Sequence, residues 1–314
     1  MLEENYSEKV IARIKSELEH GCKPLEIERE GEFVWVSMIS GLRTSEEGNS
    51  ALVKKAKYTA TDELMDHLDS PEFKNQIYAP KKRGIILIDI AGYSKLETLH
   101  QSAVLTLLSR CLKADIKPLH LLLPFDPVEL IIPTGDGCYI ITDERVIDKF
   151  CNIGLSLPQM LRVTQTQIIE HEFKQEDDFE EKIEIRVACH IGECDFFTDI
   201  AGNKNCYGDG LNEAARILSE GQKTAEKQHR ANTLGTVFIS DEVKKLAEPT
   251  INYLNDKLNH NIKTVDLGEV ADKHQRTRQI WWVNGMHKNV AIQMYSPEEC
   301  VAKGWTAPLP TRDN

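Results

Sequence analysis

Two aspartates stand at positions where a carboxylate needs a partner. Asp89 nearly ends the apolar run Gly84–Ile90, the pattern of a buried central strand. Burying an acid costs free energy unless the acid is paired or binds a metal. Asp136 lies between two glycines in the turn that joins two further apolar runs. Carboxylates on adjacent strands can hold divalent ions, so the pair predicts a metal site, although each aspartate alone is also typical of an ordinary cap or turn.

The residues that follow Asp89 favour an anion site. Gly92 allows a tight turn before Tyr93, and Ser94 is a suitable N-cap for a helix over about 94–113. Backbone N–H groups at the start of a helix bind phosphate. Taken alone, this segment is also typical of a strand-end aspartate that serves only as a cap.

A third segment, residues 207–216, reads YGDGLNEAAR. Asn212 and Arg216 are four positions apart, so they share one face of a helix. An amide and a guanidinium on one face can orient a ribose and stabilise a pentavalent phosphorus. A capped surface helix with an ordinary arginine is the competing interpretation.

The elements that must position these residues alternate between strands and helices. Strands are predicted at 32–39, 84–90, 128–133, 138–142, 183–197, 236–239 and 278–283, and helices at 1–20, about 60–68, 94–113, 156–171, from 210 and from 240. Pro158 is expected in the first turn of its helix. The segment 41–50 is polar and expected to be rich in turns, and the acidic segment 175–182 is expected to be a solvated loop and not a binding site. The pattern predicts an α/β (α+β) sandwich with a mixed sheet.

Composition restricts the partners. The net charge of −12 argues against a nucleic-acid or anionic-membrane surface, and no apolar run approaches the length of a membrane helix. The acidic N-terminus does not resemble a secretory signal, and the eight cysteines include no C-x-x-C pair. We therefore expect a cytoplasmic protein with reduced thiols that binds neither nucleic acid nor membrane.

Four motifs occur in order: DIxGYS around Asp89, GDG around Asp136, RxxxHxG over 186–192, and YGDGxNxAAR over 207–216. This series resembles the catalytic domain of class III adenylate and guanylate cyclases, over roughly 84–285. The resemblance implies that family's mixed, mainly antiparallel sheet with flanking helices. Residues 1–80 would then be an N-terminal extension and residues 286–314 a C-terminal tail.

The resemblance also implies roles for individual residues. Asp89 and Asp136, with the carbonyl of Ile90, would hold two Mg²⁺ or Mn²⁺ ions. The turn of Gly92, Tyr93 and Ser94 would lie against the nucleoside triphosphate. Asn212 would orient the ribose, and Arg216 would stabilise the transition state. Family members form each site across a head-to-tail dimer, so a homodimer would have two shared active sites. His190, within an apolar strand, is expected to be a hydrogen-bonded core residue and not a base.

The base-reading positions depart from the family. Adenylate cyclases have a lysine four residues before the hairpin aspartate and an aspartate or threonine seven residues before the asparagine; here these positions hold Ile132 and Asn205. The pair does not match guanylate cyclases either. It looks more like the pyrimidine nucleotide cyclases of bacterial Pycsar antiphage systems. An amide offers both a donor and an acceptor to cytosine or uracil, and the lack of a cation at position 132 inclines the expectation towards CTP.

The residue that would bind the triphosphate is left open among Lys273, Arg276 and Arg278, each of which is also typical of a solvated basic side chain. Two other functions remain: an adenylate cyclase with unusual base contacts, and an inactive cyclase-like module that senses nucleotides.

Overall fold

The computed structural model describes residues 25–29, 32–37, 41–45, 54–59, 66–68, 70–71, 81–116, 123, 125–172, 183–229, 234–258, 260–271, 276–284, 299 and 302–304. The helix expected over 1–20, the loop at 175–182 and most of the tail after 285 lie outside these residues. The chain divides into two compact units, one of residues 1–81 and 194–207 and the other of residues 82–193 and 208–314.

The first unit contains a four-stranded sheet in the order β3-β2-β1-β4. Its strands are β1 Leu25–Arg29, β2 Glu32–Ser37, β3 Gly41–Ser45 and β4 Lys54–Thr59. The predicted strand from residue 32 is confirmed. The prediction of turns over 41–50 is wrong for its first five residues, which form β3. This polar segment is a strand because it pairs with β2. Its sequence shows no alternation of apolar and polar residues from which the strand could be predicted.

The main sheet has the order β11-β12-β10-β8-β5-β7-β6, and a short strand, β9, pairs with the end of β8. The strands are β5 Lys81–Ile90, β6 Val128–Pro133, β7 Gly137–Thr142, β8 Ile185–Thr198, β9 Lys204–Tyr207, β10 Val237–Ser240, β11 Lys263–Ala271 and β12 Thr277–Asn284. The pairs β5–β7, β6–β7, β8–β9, β10–β12 and β11–β12 are antiparallel, and β8–β10 is parallel. The predicted mixed, mainly antiparallel sheet is confirmed.

The described helices of the second unit are α1 Thr98–Ile116, α2 Phe150–Glu172, α3 Asp209–His229 and α4 Asp241–Leu258. Successive residues of a strand face opposite sides of the sheet. Ile86 and Ile88 belong to the core formed with α1, α2 and α4. The side chain of Ile85 instead meets Gly210 at the start of α3. The helices therefore cover both faces of the sheet, and the apolar run of β5 is buried on both sides.

The predicted start of α2 is wrong, because the helix begins six residues earlier, at Phe150, and Pro158 lies inside it. The early turns are buried almost completely, so they carry no polar face that would reveal a helical period. Gly154 fits there because an added Cβ would lie 2.2 Å from the sulfur of Cys189.

Candidate active site

Asp89 and Asp136 meet where β5 runs beside the β6–β7 hairpin. Asp89 pairs in register with Gly137, and the backbone N–H of Ile90 donates to the carbonyl of Asp136 across 2.8 Å. This approach requires glycine at position 137, since a Cβ there would lie 1.9 Å from the carbonyl oxygen of Ile88. The fold therefore brings the end of β5, with Asp89, beside the β6–β7 turn that carries Asp136, as the sequence predicts.

The carboxylate of Asp89 is partly buried and has a cationic partner. Arg186 of β8 donates through Nη2 to its Oδ2, and each side chain is 21% exposed. Burial raises the pKa of Asp89, Arg186 opposes the rise, and the negative charge of Asp136 adds to it. Asp136 itself is exposed at the hairpin turn. The negative charges of the two acids thus repel each other, and a divalent cation would relieve this repulsion.

The donor set fits Mg²⁺ or Mn²⁺. It offers two carboxylates and nearby main-chain carbonyls, and hard cations prefer oxygen ligands. Among the described residues, no group of three or more His, Cys, Asp or Glu side chains could hold a metal. Magnesium typically completes such a sparse set with waters and with the phosphates of a substrate. In the part of the chain that the structure describes, the site therefore offers only two carboxylate side chains to a metal ion.

The turn after β5 differs from the expectation for Ser94. Gly92 adopts a left-handed conformation with φ of 75°, and a 3₁₀ turn follows at Tyr93–Lys95 before α1 begins at Thr98. Gly92 is the cap residue and no side chain caps the turn, so the prediction of Ser94 as N-cap is wrong. The left-handed glycine starts a 3₁₀ turn that contains Ser94, and the helix begins only four residues after Ser94, at Thr98.

The backbone of this turn is partly committed to internal hydrogen bonds. The N–H of Lys95 donates to the carbonyl of Gly92 across 2.9 Å, and the N–H of Leu96 donates to that of Tyr93 across 3.1 Å. The ring of Tyr93 packs against the hydrophobic core, whereas Ser94 is exposed. The N–H groups of Lys95 and Leu96 are therefore already engaged within the turn.

The start of α3 carries Asn212, which is exposed, and Arg216, which is about one-quarter exposed. An added Cβ at Gly192 of β8 would lie 2.5 Å from the Cα of Gly210, so the helix starts in close contact with the strand. The hydroxyl of Tyr139 on β7 donates to the carbonyl of Leu211 across 3.2 Å. The first turn of α3 is thus held by both β8 and β7.

Ile132 is half-buried on β6 and pairs in register with Tyr139. Asn205 lies on β9, in the first unit, where its Oδ1 accepts from the N–H of Cys206 at 2.7 Å. Their roles at the base remain predictions.

Three contacts at this site were not anticipated from the sequence. Arg186 stands in the RxxxHxG motif but had no assigned role, and its partner Asp89 is 97 positions away. Glu213 bonds Arg216, a pairing that the i,i+3 spacing could have revealed. Glu213 also bonds Arg278 of β12, which no local pattern shows.

Arg278 is only 9% exposed, so the expectation of a solvated basic residue is wrong there. Arg276 is exposed, and Lys273 lies outside the described residues. His190 is largely buried, which lowers the pKa of its imidazole, and its Nδ1 is buried without a hydrogen-bond partner among the described residues. This unsatisfied nitrogen differs from the prediction that His190 is a hydrogen-bonded core residue.

Comparisons with known proteins find structural likeness only. No protein-family model matches the chain, and no curated protein sequence matches it. The adenylyl cyclase CyaB from P. aeruginosa has a TM-score of 0.46 at 18% identity, covering 69% of this chain and 97% of its own. The guanylyl cyclase Cya2 has a TM-score of 0.45 at 18% identity, covering 66% and 94%. A bacterial light-regulated adenylyl cyclase has a TM-score of 0.41 at 11% identity, covering 92% and 94%.

None of the described helices has the length and apolarity needed to span a bilayer.

Proposed function

We propose that this chain is a nucleotide cyclase of the class III type, which converts a nucleoside triphosphate into a 3′,5′-cyclic monophosphate and pyrophosphate. The observation that carries the proposal is the meeting of Asp89 and Asp136 beside a glycine turn. An enzyme that transfers phosphoryl or nucleotidyl groups needs oxygen ligands for metal ions next to a phosphate site. The sequence motifs around these residues resemble those of class III cyclases, which favours a cyclase among such enzymes.

The reaction joins the ribose 3′-oxygen to the α-phosphorus as the bond to the β-phosphate oxygen breaks. Pyrophosphate leaves, and the proton of the 3′-hydroxyl passes to water. Bound divalent ions would lower the pKa of that hydroxyl and neutralise charge on the phosphates.

The chain's own residues would bind and orient the reactants. Asp89, Asp136 and the carbonyl of Ile90 would hold the ions, and the turn of Gly92, Tyr93 and Ser94 would bind the phosphates. On α3, the amide of Asn212 would fix the ribose, and the guanidinium of Arg216 would stabilise charge that develops at the α-phosphorus.

We propose that the working form is a homodimer with shared sites, in which Asp89 and Asp136 of one protomer act with Asn212 and Arg216 of its partner. The chain carries both sets of residues, so a symmetric pair would form two complete sites.

The proposed substrate is CTP or UTP, with CTP preferred, and the cyclic product would serve as a second messenger in antiphage defence. Ile132 is an apolar residue where a purine-reading lysine would stand, and Asn205 offers an amide in place of an acid. A site discriminates a base strongly only when its buried groups match the donors and acceptors of that base.

ATP is the second candidate substrate, since the metal and ribose residues do not depend on the base. The purified chain, supplied with Mn²⁺ or Mg²⁺ and one nucleotide at a time, tests the proposal. Formation of a cyclic monophosphate with an equal amount of pyrophosphate is expected. Cyclic AMP as the sole product would reject the pyrimidine assignment, and no product from any of the four nucleotides would favour the nucleotide-sensing alternative.

A further inference from the structure

Glu213 directly follows Asn212 on α3, and its carboxylate accepts hydrogen bonds from two arginines. Oε1 accepts from Nη1 of Arg216 at 2.5 Å. Oε2 accepts from Nε of Arg278 at 2.7 Å, and Oε1 also accepts from Nη2 of Arg278 at 3.3 Å. One carboxylate therefore bridges a guanidinium on a helix and a guanidinium on a strand.

Arg278 is the least exposed of the three residues in this bridge. Arg278 lies on β12, where its backbone pairs in register with Val270 of β11, and its side chain is 9% exposed. Glu213 and Arg216 are about one-quarter exposed, at 24% and 26%. A guanidinium bonded through two of its nitrogens to one carboxylate has a defined orientation. The sheet therefore orients Glu213, and Glu213 in turn orients the more exposed Arg216.

The charges in this cluster favour the same arrangement. Burial works against ionisation of Glu213, but hydrogen bonds from Arg278 and Arg216 and the charges of both arginines lower the pKa of its carboxyl. An ionised carboxylate between two guanidinium groups offsets the repulsion between them. Without it, two cations would face each other and Arg216 would lose a hydrogen bond that restricts its side chain.

We infer that Glu213 is a positioning residue that holds the guanidinium of Arg216 ready for the transition state. This inference rests on the proposed function, because it assigns Glu213 a role through Arg216. Preorganised donors stabilise developing charge without reorganising during the reaction, whereas a freely rotating arginine must first be ordered.

The main test is Glu213→Gln, which keeps the shape of the side chain and removes its charge. The matched control is Glu220→Gln on the same helix. Glu220 has the same 24% exposure and bonds Lys223 with the same i,i+3 spacing. E213Q should lower kcat about 10- to 100-fold, because small misplacements of a reacting group cost that much. KM should stay within about twofold, since ground-state binding is not involved. E220Q should behave like the wild type.

A double variant separates positioning from a general structural role. In an Arg216→Lys background, E213Q should lower kcat by less than about twofold further, because residues that act as a unit are not additive. A full additional loss in that background, or an effect on KM alone, would overturn the inference. If E213Q does not fold, Glu213→Asp replaces it, because it keeps the charge and shortens the reach to both arginines.

A second measurement does not depend on turnover. In ¹⁵N spectra of arginine side chains, the Nε–H signal of Arg216 should be sharp and slow to exchange in the wild type and in E220Q, and broadened in E213Q. An unchanged Arg216 signal in E213Q would overturn the inference. If the wild type forms no cyclic product from any nucleotide, the proposed function fails, and these spectra alone decide whether Glu213 holds Arg216.

Discussion

Arg186 of β8 donates a hydrogen bond to the carboxylate of Asp89, so the acid proposed to bind metal forms an ion pair with an arginine. Its Nη1 also donates to Oε1 of Gln222 on α3. The ion pair offsets part of the cost of placing Asp89 at the end of a buried strand beside Asp136. It also means that a metal ion at Asp89 would be added next to a positive charge.

Replacement of Arg186 by glutamine should tighten metal binding. Removal of a nearby positive charge is worth on the order of 1 kcal/mol, so Kd for Mn²⁺ should fall about three- to tenfold. Titration calorimetry without nucleotide measures it. Arg162→Gln makes the same charge change at an exposed position on α2 and should leave Kd unaltered. Equal Kd values for R186Q and wild type would show that Arg186 does not oppose the metal.

Replacement of Asp136 by alanine should abolish most of the activity without unfolding the protein. The side chain is exposed at the hairpin turn, so its loss should shift the unfolding temperature by about 2 °C or less. As one of the two proposed acidic ligands, it should be worth about 100-fold or more in kcat/KM. Asp256→Ala, at an exposed position on α4, is the control. Retained turnover in D136A would refute the metal assignment.

The shared-site dimer predicts complementation between two inactive variants. Asp89→Ala damages the metal half of each site, and Arg216→Ala damages the other half. Random mixing of the two chains should form heterodimers with one intact site each, which restores about one quarter of the wild-type activity. Refolding of the chains together, followed by a cyclase assay, measures the recovery. The same chains refolded separately and then combined on ice provide the baseline, and no recovery above it would mean that each site is formed within one chain.

The turn after β7 predicts a stability difference that depends on pH. Asp143 is buried, and although this burial opposes the shift, hydrogen bonds from the side chain and N–H of Arg145 and the charges of Arg145 and Arg83 lower the pKa of its carboxyl. A lowered folded-state pKa contributes stability above the unfolded value of 3.8 and loses it as pH falls through the folded value. Asp143→Asn should therefore cost about 1 kcal/mol at pH 7 and less at an acid pH below 3.8.

Urea unfolding at the two pH values measures this difference. Asp148→Asn, whose partly exposed carboxylate pairs with Lys303, should show little change at either pH. If the loss of unfolding free energy in D143N is as large in acid as at pH 7, the charge of Asp143 is not its cause.

The parts of the fold that the sequence could predict are those with a local signature. The buried run of β5, the apolar run of β6 and the Gly-Asp-Gly turn between β6 and β7 carry their own pattern, which is why the meeting of Asp89 and Asp136 was predictable. The strand β11 was missed because it alternates weakly and is interrupted by a bulge at Gly268, which has φ of 78°.

The charge partners within the candidate site were harder to predict. Arg186 and Arg278 reach Asp89 and Glu213 across 97 and 65 positions of chain, through neighbouring strands and the helix packed on them. Contacts of this kind are set by sheet order and register, and a single sequence contains no periodicity that reports either.

The most direct test of the central claim is a competition in one tube. The wild-type chain is supplied with Mn²⁺ and an equimolar mixture of ATP, GTP, CTP and UTP, and the products are resolved by mass spectrometry. The ratio of products reports the ratio of kcat/KM values directly. Cyclic CMP or cyclic UMP in excess over both purine products is predicted, with cyclic CMP the larger. Cyclic AMP or cyclic GMP as the main product would contradict the pyrimidine assignment, and no cyclic product would contradict the cyclase itself.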